Sequence, residues 1–258
     1  NPLFSYPAHL HQLYRAFHDR HVAVDIVAPD ADLSAYKLVV APALYVLSND
    51  TADRLRRFVE AGGVLLVTQR SGVKDEANAV VDRPLPGLLA ALCGVEVEEY
   101  DSLSADMHNA LEFLLPELAL LPPLPVGVWC DVLRPRGAAV VARYIQDYYA
   151  GRPAITWNRF GKGQAVYVGT IGDDRLYGAL AGWLLGLAGV QAILPVPEGV
   201  EVAERWQGAR RLLFLLNHSD RDQEVLLDGS YADLLGSPAV RAGTVTIPPR
   251  DILVLLSA

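Results

Sequence analysis

Two residues of this sequence are weighed as candidate nucleophiles, Ser71 and Cys93. Ser71 follows the apolar run Val64–Val67, and a serine on a sharp turn after a strand is the arrangement that α/β-hydrolases use. Their Gly-x-Ser-x-Gly motif is incomplete because Gln69 replaces its first glycine. Cys93 lies at the end of the predicted helix Pro84–Leu92 and not after a strand. We therefore favour a loop serine and a core thiol, with an enzyme of the amidotransferase-like superfamily as the alternative.

Metal binding is a second kind of chemistry, because four of the six histidines lie close to the N-terminus. His18 and His21 are three residues apart and can share a helix face, whereas His9 and His11 point apart on a helix. Solvated helix histidines explain this pattern, so we predict no metal site. Neither the phosphate-loop motif Gly-x-x-x-x-Gly-Lys-Ser/Thr nor the dinucleotide motif Gly-x-Gly-x-x-Gly occurs, and we predict no cofactor.

Glycoside hydrolysis requires two carboxyl groups about 5–9.5 Å apart that flank the sugar. Strand alternation, helix capping or an exposed strand position explains each acidic pair of the sequence: Glu98-Glu99, Asp173-Asp174, and Glu201 with Glu204. We therefore predict no catalytic residue in this chain.

Tryptophan side chains can stack on a sugar ring. A stand-alone carbohydrate-binding module that uses Trp129, Trp157 or Trp206 is therefore a further hypothesis. Core packing is the favoured interpretation of Trp129 and Trp157, and also of Trp183, which lies in a glycine-rich helix.

The elements that must position these residues alternate between helix and strand up to about residue 100. Apolar positions at helical spacing predict helices near Leu10–Phe17 and Ala52–Ala61. Short apolar runs predict strands at Val22–Val27, Leu38–Ala41 and Val64–Val67. Continuous apolar strands between helices predict an α/β fold, in which a parallel sheet is covered on both faces.

Beyond this region a short helix is predicted near Asn109–Leu115, and then the pattern changes to antiparallel strands. Four runs predict strands: Val126–Leu133, Ala138–Ile145, Ala154–Phe160 and Gln164–Thr170. Asp173 and Asp174 then begin a helix that continues to Ala188. Only about three βα units precede the change, so a (β/α)₈ barrel is excluded, because it needs eight.

The pattern becomes purely β after Pro197. Short strands separated by turn residues fill about sixty residues, which predicts a small antiparallel β-sandwich. We place the domain boundary there, with an α/β domain over residues 1–197 and a C-terminal β-sandwich domain over residues 198–258.

Composition narrows the classes of partner. The apolar fraction is 52% and the charged fraction 20%, which excludes general disorder. The net charge of −8 repels polyanions, so we predict no nucleic acid and no membrane as partners. Cys93 and Cys130 are too few for a disulfide framework, and the N-terminus lacks the pattern of a signal peptide. We predict a cytoplasmic protein, and the missing initial Met suggests a chain cut from a longer one.

Several segments, taken in order, resemble the second half of glycoside hydrolase family 42 β-galactosidases. The first are Leu38–Ser48, Phe58–Gly63 and Thr68-Gln69-Arg70-Ser71-Gly72 with Asp75-Glu76. The later ones are Tyr149–Ala154, Phe160–Gly163 and Leu213–Ser219. The resemblance covers the chain from about Tyr6 to the C-terminus.

The resemblance implies a flavodoxin-like or amidotransferase-like trimerisation domain followed by a β-sandwich, without the catalytic barrel and its two glutamates. The implied function is the non-catalytic oligomerisation and accessory region of a retaining β-galactosidase, which works as a homo-oligomer, a trimer. By this resemblance the Arg70–Asn78 loop would lie near a neighbour's sugar site, which makes Arg70, Ser71, Asp75 and Glu76 substrate-proximal candidates. The alternative, which we favour, is a strand-to-helix loop that only makes subunit contacts. The strand that opens the domain in this family is expected to be missing, disordered or supplied by a neighbour.

Overall fold

In the computed structural model, which describes residues 1–236 and 240–257, the chain forms two units. The first consists of Asn1–Ala16 and Ile26–Val190, and the second of Phe17–Asp25 and Gln191–Ala258. Each unit has its own apolar core.

A nine-stranded mixed sheet forms the centre of the first unit, and one end of it is parallel. That end consists of β1 (Leu38–Ala41), β2 (Val64–Thr68) and β8 (Gly163–Val168), with β2 between the other two. All five residues of β2 are buried, as the continuous apolar run predicts for a strand covered on both faces. Among the described residues, β1 bonds to no strand other than β2.

The rest of the sheet is antiparallel and continues from β8 in the order β7, β6, β4, β5, β3, while β9 pairs with β5. These strands are β3 (Val95–Ser102), β4 (Asn109–Phe113), β5 (Leu124–Pro135), β6 (Ala139–Tyr144), β7 (Pro153–Phe160) and β9 (Thr170–Gly172). The α/β class is confirmed, but the sheet is parallel over three strands only.

Four helices accompany the sheet: α1 (Tyr6–His18), α2 (Asn49–Glu60), α3 (Ala90–Cys93) and α4 (Asp174–Ala188). The Ser48 side chain caps α2 by accepting a hydrogen bond from the Thr51 backbone N–H at 3.1 Å. The apolar face of α2 then packs into the core with Leu55, Phe58 and Val59. Asp173 caps α4 in the same way, and Gly189 ends it in a left-handed conformation.

Two predicted elements are wrong, and a third begins later than predicted. Val22–Val27 is not a strand, because an apolar run becomes a strand only where a neighbour supplies hydrogen bonds, and no described strand pairs with it. Ile26 in this segment is 70% exposed. The segment near Asn109–Leu115 is strand β4 and not a helix, because it bonds to β5 and β6. Helical turns in the Pro84–Leu92 region begin only at Gly87, since Pro86 disfavours the helical conformation of Leu85 before it.

The second unit contains a five-stranded antiparallel sheet in the order β10, β11, β16, β13, β14, and a two-stranded sheet of β12 and β15. The strands are β10 (Val200–Gln207), β11 (Arg210–Asn217), β12 (Gln223–Leu226), β13 (Tyr231–Asp233), β14 (Val240–Arg241), β15 (Thr244–Ile247) and β16 (Ile252–Ser257). Side chains of β11 alternate between buried and partly exposed, as expected for a sheet with one core face.

Candidate functional site

The loop that follows β2 lies at the carboxyl end of the parallel strands, which is the usual position of a site in an open α/β sheet. Arg70 is in this loop, and its backbone adopts the left-handed region with φ 63°. Its guanidinium lies over the rings of Tyr100 and Trp129, at 4.6 Å from each centroid, and 5.7 Å from that of Tyr45. These three aromatic residues, here named the aromatic clamp, hold the Arg70 side chain in place.

Ser71, by contrast, is fully buried and has a structural role. Its hydroxyl donates a hydrogen bond to the Thr68 carbonyl at 2.8 Å and accepts one from the Leu44 backbone N–H at 3.0 Å. The hydroxyl therefore ties the loop to the segment after β1. Neither partner is a histidine, which a serine nucleophile needs as its general base.

Cys93 does not have the environment of a nucleophile either. The thiol is fully buried, and burial raises its pKa to about 12. The thiolate is therefore not populated near neutral pH. Cys130 is buried as well, and burial raises its pKa in the same direction.

Asp75 and Glu76 lie further along the same loop. The Asp75 carboxylate accepts backbone hydrogen bonds from Ala77 at 3.0 Å and Ala79 at 2.9 Å, so it stabilises a turn. Glu76 is exposed. Lys74 lies between these residues and Arg70, with its ammonium 5.8 Å from the Tyr45 ring centroid. The ring of Tyr45 therefore lies close to both positively charged side chains of the loop, Arg70 and Lys74.

Asp131 is a site residue that the sequence did not reveal. Its carboxyl is buried, and Tyr167 donates a hydrogen bond to it at 2.7 Å. Burial raises its pKa to about 7, although the Tyr167 hydroxyl and the positive charge of Arg70 act in the opposite direction. Gln69, in the loop after β2, is fully buried, and neither atom of its amide has a hydrogen-bond partner within the described residues.

The clamp residues were also missed as a group, because they come from three distant parts of the chain. Tyr45 follows β1, Tyr100 is in β3 and Trp129 is in β5. Only the sheet order brings β3 and β5 side by side, with Ser102 paired to Trp129. Tyrosine and tryptophan at these positions were the available signal, but the sequence does not give the order of the strands.

His9 is part of the core and is no metal ligand. It is 2% exposed, its Nε2 lies 3.1 Å from the Thr68 hydroxyl, and its Nδ1 lies 3.4 Å from that of Tyr177. Burial lowers its pKa to about 4, so the ring is neutral near pH 7. His18 and His218 both approach Glu201, at 3.7 and 2.9 Å. Within residues 1–236 and 240–257, no three His, Cys, Asp or Glu side chains are arranged to hold a metal ion.

The remaining candidate residues are engaged in structural contacts. The acidic pairs form ion pairs or hydrogen bonds within the chain: Glu98 with Arg152, Glu99 with Tyr148, Asp173 with Arg175, and Glu204 with Arg211. Trp157 donates to Gln164 and packs edge-on against Trp183, while Trp206 is 60% exposed and lies under Arg211. None of the helices in the part of the chain that the structure describes is long and apolar enough to cross a membrane.

Comparison with known proteins identifies the class first. A family model described as the β-galactosidase trimerisation domain matches residues 1–191, and one described as the β-galactosidase C-terminal domain matches residues 199–256. The fold is therefore that of the accessory domains of a glycosidase. The chain belongs to the glycoside hydrolase family 42 β-galactosidases and corresponds to their C-terminal part, which confirms the resemblance and favours the accessory-region hypothesis over the alternatives.

Individual relatives support the same family assignment. The chain is 34% identical to β-galactosidase BgaP of Planococcus sp. (strain L4) over 251 residues, which are 97% of this chain and 37% of that protein. It is equally similar to β-galactosidase LacZ of Heyndrickxia coagulans, with 98% and 37% covered. The β-galactosidase structure from Bacillus circulans sp. alkalophilus superposes with a TM-score of 0.94 at 32% identity, over 100% of this chain and 38% of that one. The chain thus spans little more than a third of the relatives it matches.

Proposed function

We propose that this chain is the non-catalytic oligomerisation and accessory region of a retaining β-galactosidase that hydrolyses terminal β-D-galactosides. The observation that carries the proposal is the succession of two family models over residues 1–191 and 199–256. Because the relatives are more than twice as long, the hydrolysis itself is assigned to a catalytic barrel of the same polypeptide.

The partners that we propose are two further copies of the chain, which together make a homotrimer. The description of the matched family supports a trimer. Leu120, at 98% exposure, and Val80, at 72%, are apolar side chains that such a contact could bury.

Light scattering on the purified chain tests the oligomer. Each copy has a mass of 28.0 kDa, and we expect a particle of three copies whose mass persists on dilution through the micromolar range. A particle of one or two copies at every concentration contradicts the trimer.

An activity assay tests the assignment of the chemistry. We expect no release of chromophore when the pure chain is incubated with a chromogenic β-galactoside, since no catalytic glutamate is assigned to it. The polypeptide that includes the barrel is the matched control and is expected to turn over the same substrate. Robust turnover by the chain alone contradicts an accessory role.

We further propose that residues 1–197 are the trimerisation domain and residues 198–258 the β-sandwich domain, in a cytoplasmic protein. The Arg70–Asn78 loop is proposed to meet a neighbouring subunit near its sugar site. Of the candidates there, Glu76 would face the sugar site and Arg70 would contact the neighbouring subunit beside it, while Ser71 and Asp75 shape the loop. In the full polypeptide, Glu76→Ala should raise KM for a galactoside and leave kcat unchanged; an unchanged KM excludes Glu76 from the sugar site.

A further inference from the structure

The Arg70 side chain is held against aromatic rings and is half-buried. The rings of Tyr100 and Trp129 cover the guanidinium at 4.6 Å each, so its position is set before any partner arrives. Within residues 1–236 and 240–257, no oxygen accepts a hydrogen bond from it. The Arg70 charge acts on the pKa of Asp131, but the two side chains are not hydrogen-bonded. A guanidinium held against aromatic rings can still bind through its N–H groups.

The backbone around the aromatic clamp is strained in three places. Ala43, Arg70 and Val128 all have positive φ, at 41°, 63° and 63°. A left-handed conformation costs a residue other than glycine roughly 1–2 kcal/mol, and Val128 is β-branched, for which it is least favourable. Arg70 is the clamped residue itself. Val128 directly precedes Trp129, and Ala43 lies two positions before Tyr45. Strain that collects around one side chain is typical of a functional site.

The shape of the Arg70 guanidinium indicates which chemical group would bind it. The N–H groups of a guanidinium form a planar fork, and a carboxylate fits that fork with two parallel hydrogen bonds. Tyr45 is 39% and Tyr100 49% exposed, which leaves the rim of the clamp open to a surface. Tyrosine, tryptophan and arginine are also the residues that carry most of the energy of protein interfaces.

We propose that Arg70 is the anchor of the subunit interface, where it receives an Asp or Glu carboxylate from a second copy of this chain. The inference rests on the proposed oligomerisation and specifies its central contact. The description of the family model that matches residues 1–191 as a trimerisation domain supports a second copy as the occupant.

Sedimentation equilibrium on the purified chain tests the anchor. We expect Arg70→Ala to weaken self-association by at least about 30-fold, which is the size of an interface hot spot. Arg70→Lys should weaken it nearly as much, because lysine keeps the charge but lacks the planar fork. Arg159→Ala is the matched control: Arg159 is exposed and lies 5.4 Å from the Trp157 ring centroid, and its loss should leave association unchanged.

A second measurement does not depend on the stability of the Arg70 variants. A photo-reactive p-benzoylphenylalanine at position 45, in an equal mixture of ¹⁴N- and ¹⁵N-labelled chains, should yield cross-linked peptides that carry both labels. We expect the captured peptide to contain Asp or Glu. Cross-links confined to one label overturn the inference.

The possible failures are distinguishable. If the wild-type chain associates and the Arg70 variants associate equally well, the anchor is wrong while the oligomerisation proposed above stands. If the wild-type chain is a monomer throughout, both are wrong.

Discussion

Gly72 fixes the course of the loop that carries Arg70. Its φ is 69°, and a Cβ at this position would lie 2.3 Å from the carbonyl oxygen of Pro86. Both the backbone conformation and the space therefore require glycine.

We predict that Gly72→Ala lowers the free energy of unfolding by at least about 2 kcal/mol, measured by urea unfolding. Gly151→Ala separates the two causes, since Gly151 also has positive φ, but a Cβ added there would meet no described atom within 4 Å. That control should cost about 1 kcal/mol. Equal losses in the two variants contradict a steric role for Pro86.

Asp131 makes stability depend on pH. Burial raises the pKa of its carboxyl to about 7, whereas the unfolded value is near 3.8. The folded chain therefore binds more protons than the unfolded chain between these values, and the contribution of Asp131 to stability falls as the pH rises through that window.

Asp131→Asn should accordingly stabilise the protein at pH 8, by roughly 4 kcal/mol, and have little effect at pH 4. The asparagine oxygen can still accept the hydrogen bond from Tyr167, so the neutral contact is preserved. Thermal unfolding at the two pH values measures the difference. A gain that is the same at pH 4 and pH 8 is inconsistent with titration of Asp131.

At this scale, the family resemblance made Arg70 a candidate, whereas the residues that surround it were not predictable. The loop from Thr68 to Gly72 follows a strongly apolar strand, which marks it in the sequence. Asp131 and Trp129 lie about sixty residues further along, and they reach the loop only because of the strand order. Local patterns contain no information on that order.

Among the elements, α2 is the one whose beginning and end the sequence states most clearly. Ser48 supplies the cap, and Gly62, with φ 122°, follows its end. We predict that Ser48→Ala lowers the free energy of unfolding by about 1 kcal/mol, because the Thr51 N–H loses its acceptor. Ser48→Asp retains an acceptor and adds a favourable charge at the helix N-terminus, so it should restore stability. A loss as large as that of alanine rules out the cap as the cause.

Strand β11 depends instead on a polar cluster within the second unit. The buried Arg211 guanidinium binds Glu204 at 2.7 Å, Asp228 at 2.6 Å and the Tyr231 hydroxyl at 2.9 Å. Its removal leaves two carboxylates without a counter-charge.

We predict that Arg211→Ala destabilises the second unit by about 2–3 kcal/mol, less than for a fully buried pair because Asp228 is partly exposed. Arg250→Ala is the control, since Arg250 forms an exposed ion pair with Asp220 and should cost less than about 0.5 kcal/mol. Chemical unfolding followed by circular dichroism compares the two, and a similar cost for both contradicts the assignment.

Elements were predictable where the local sequence pattern is enough to define a strand or a helix. They were not predictable where pairing with another strand decides whether a segment becomes a strand. The buried run of β2 and the amphipathic α2 follow from local pattern. Val22–Val27 has the same β-branched composition as a strand but has no described neighbour to pair with. Conversely, Asn109–Phe113 becomes a strand because two neighbours are available to it.

For the whole molecule, composition and resemblance supplied different kinds of information. Charge and apolar content restricted the partners but did not distinguish an enzyme from an accessory region. The ordered segments of family 42 β-galactosidases made that distinction, and the family models agree with it over both units.

The burial of both cysteines has a practical consequence. Cys93 and Cys130 lie in the first unit, and the sequence contains no other cysteine. A thiol reagent can modify them only when the first unit opens, because burial keeps both thiols protonated and inaccessible. Alkylation followed by mass spectrometry should therefore time the opening of the first unit and be silent on the second, which contains no cysteine.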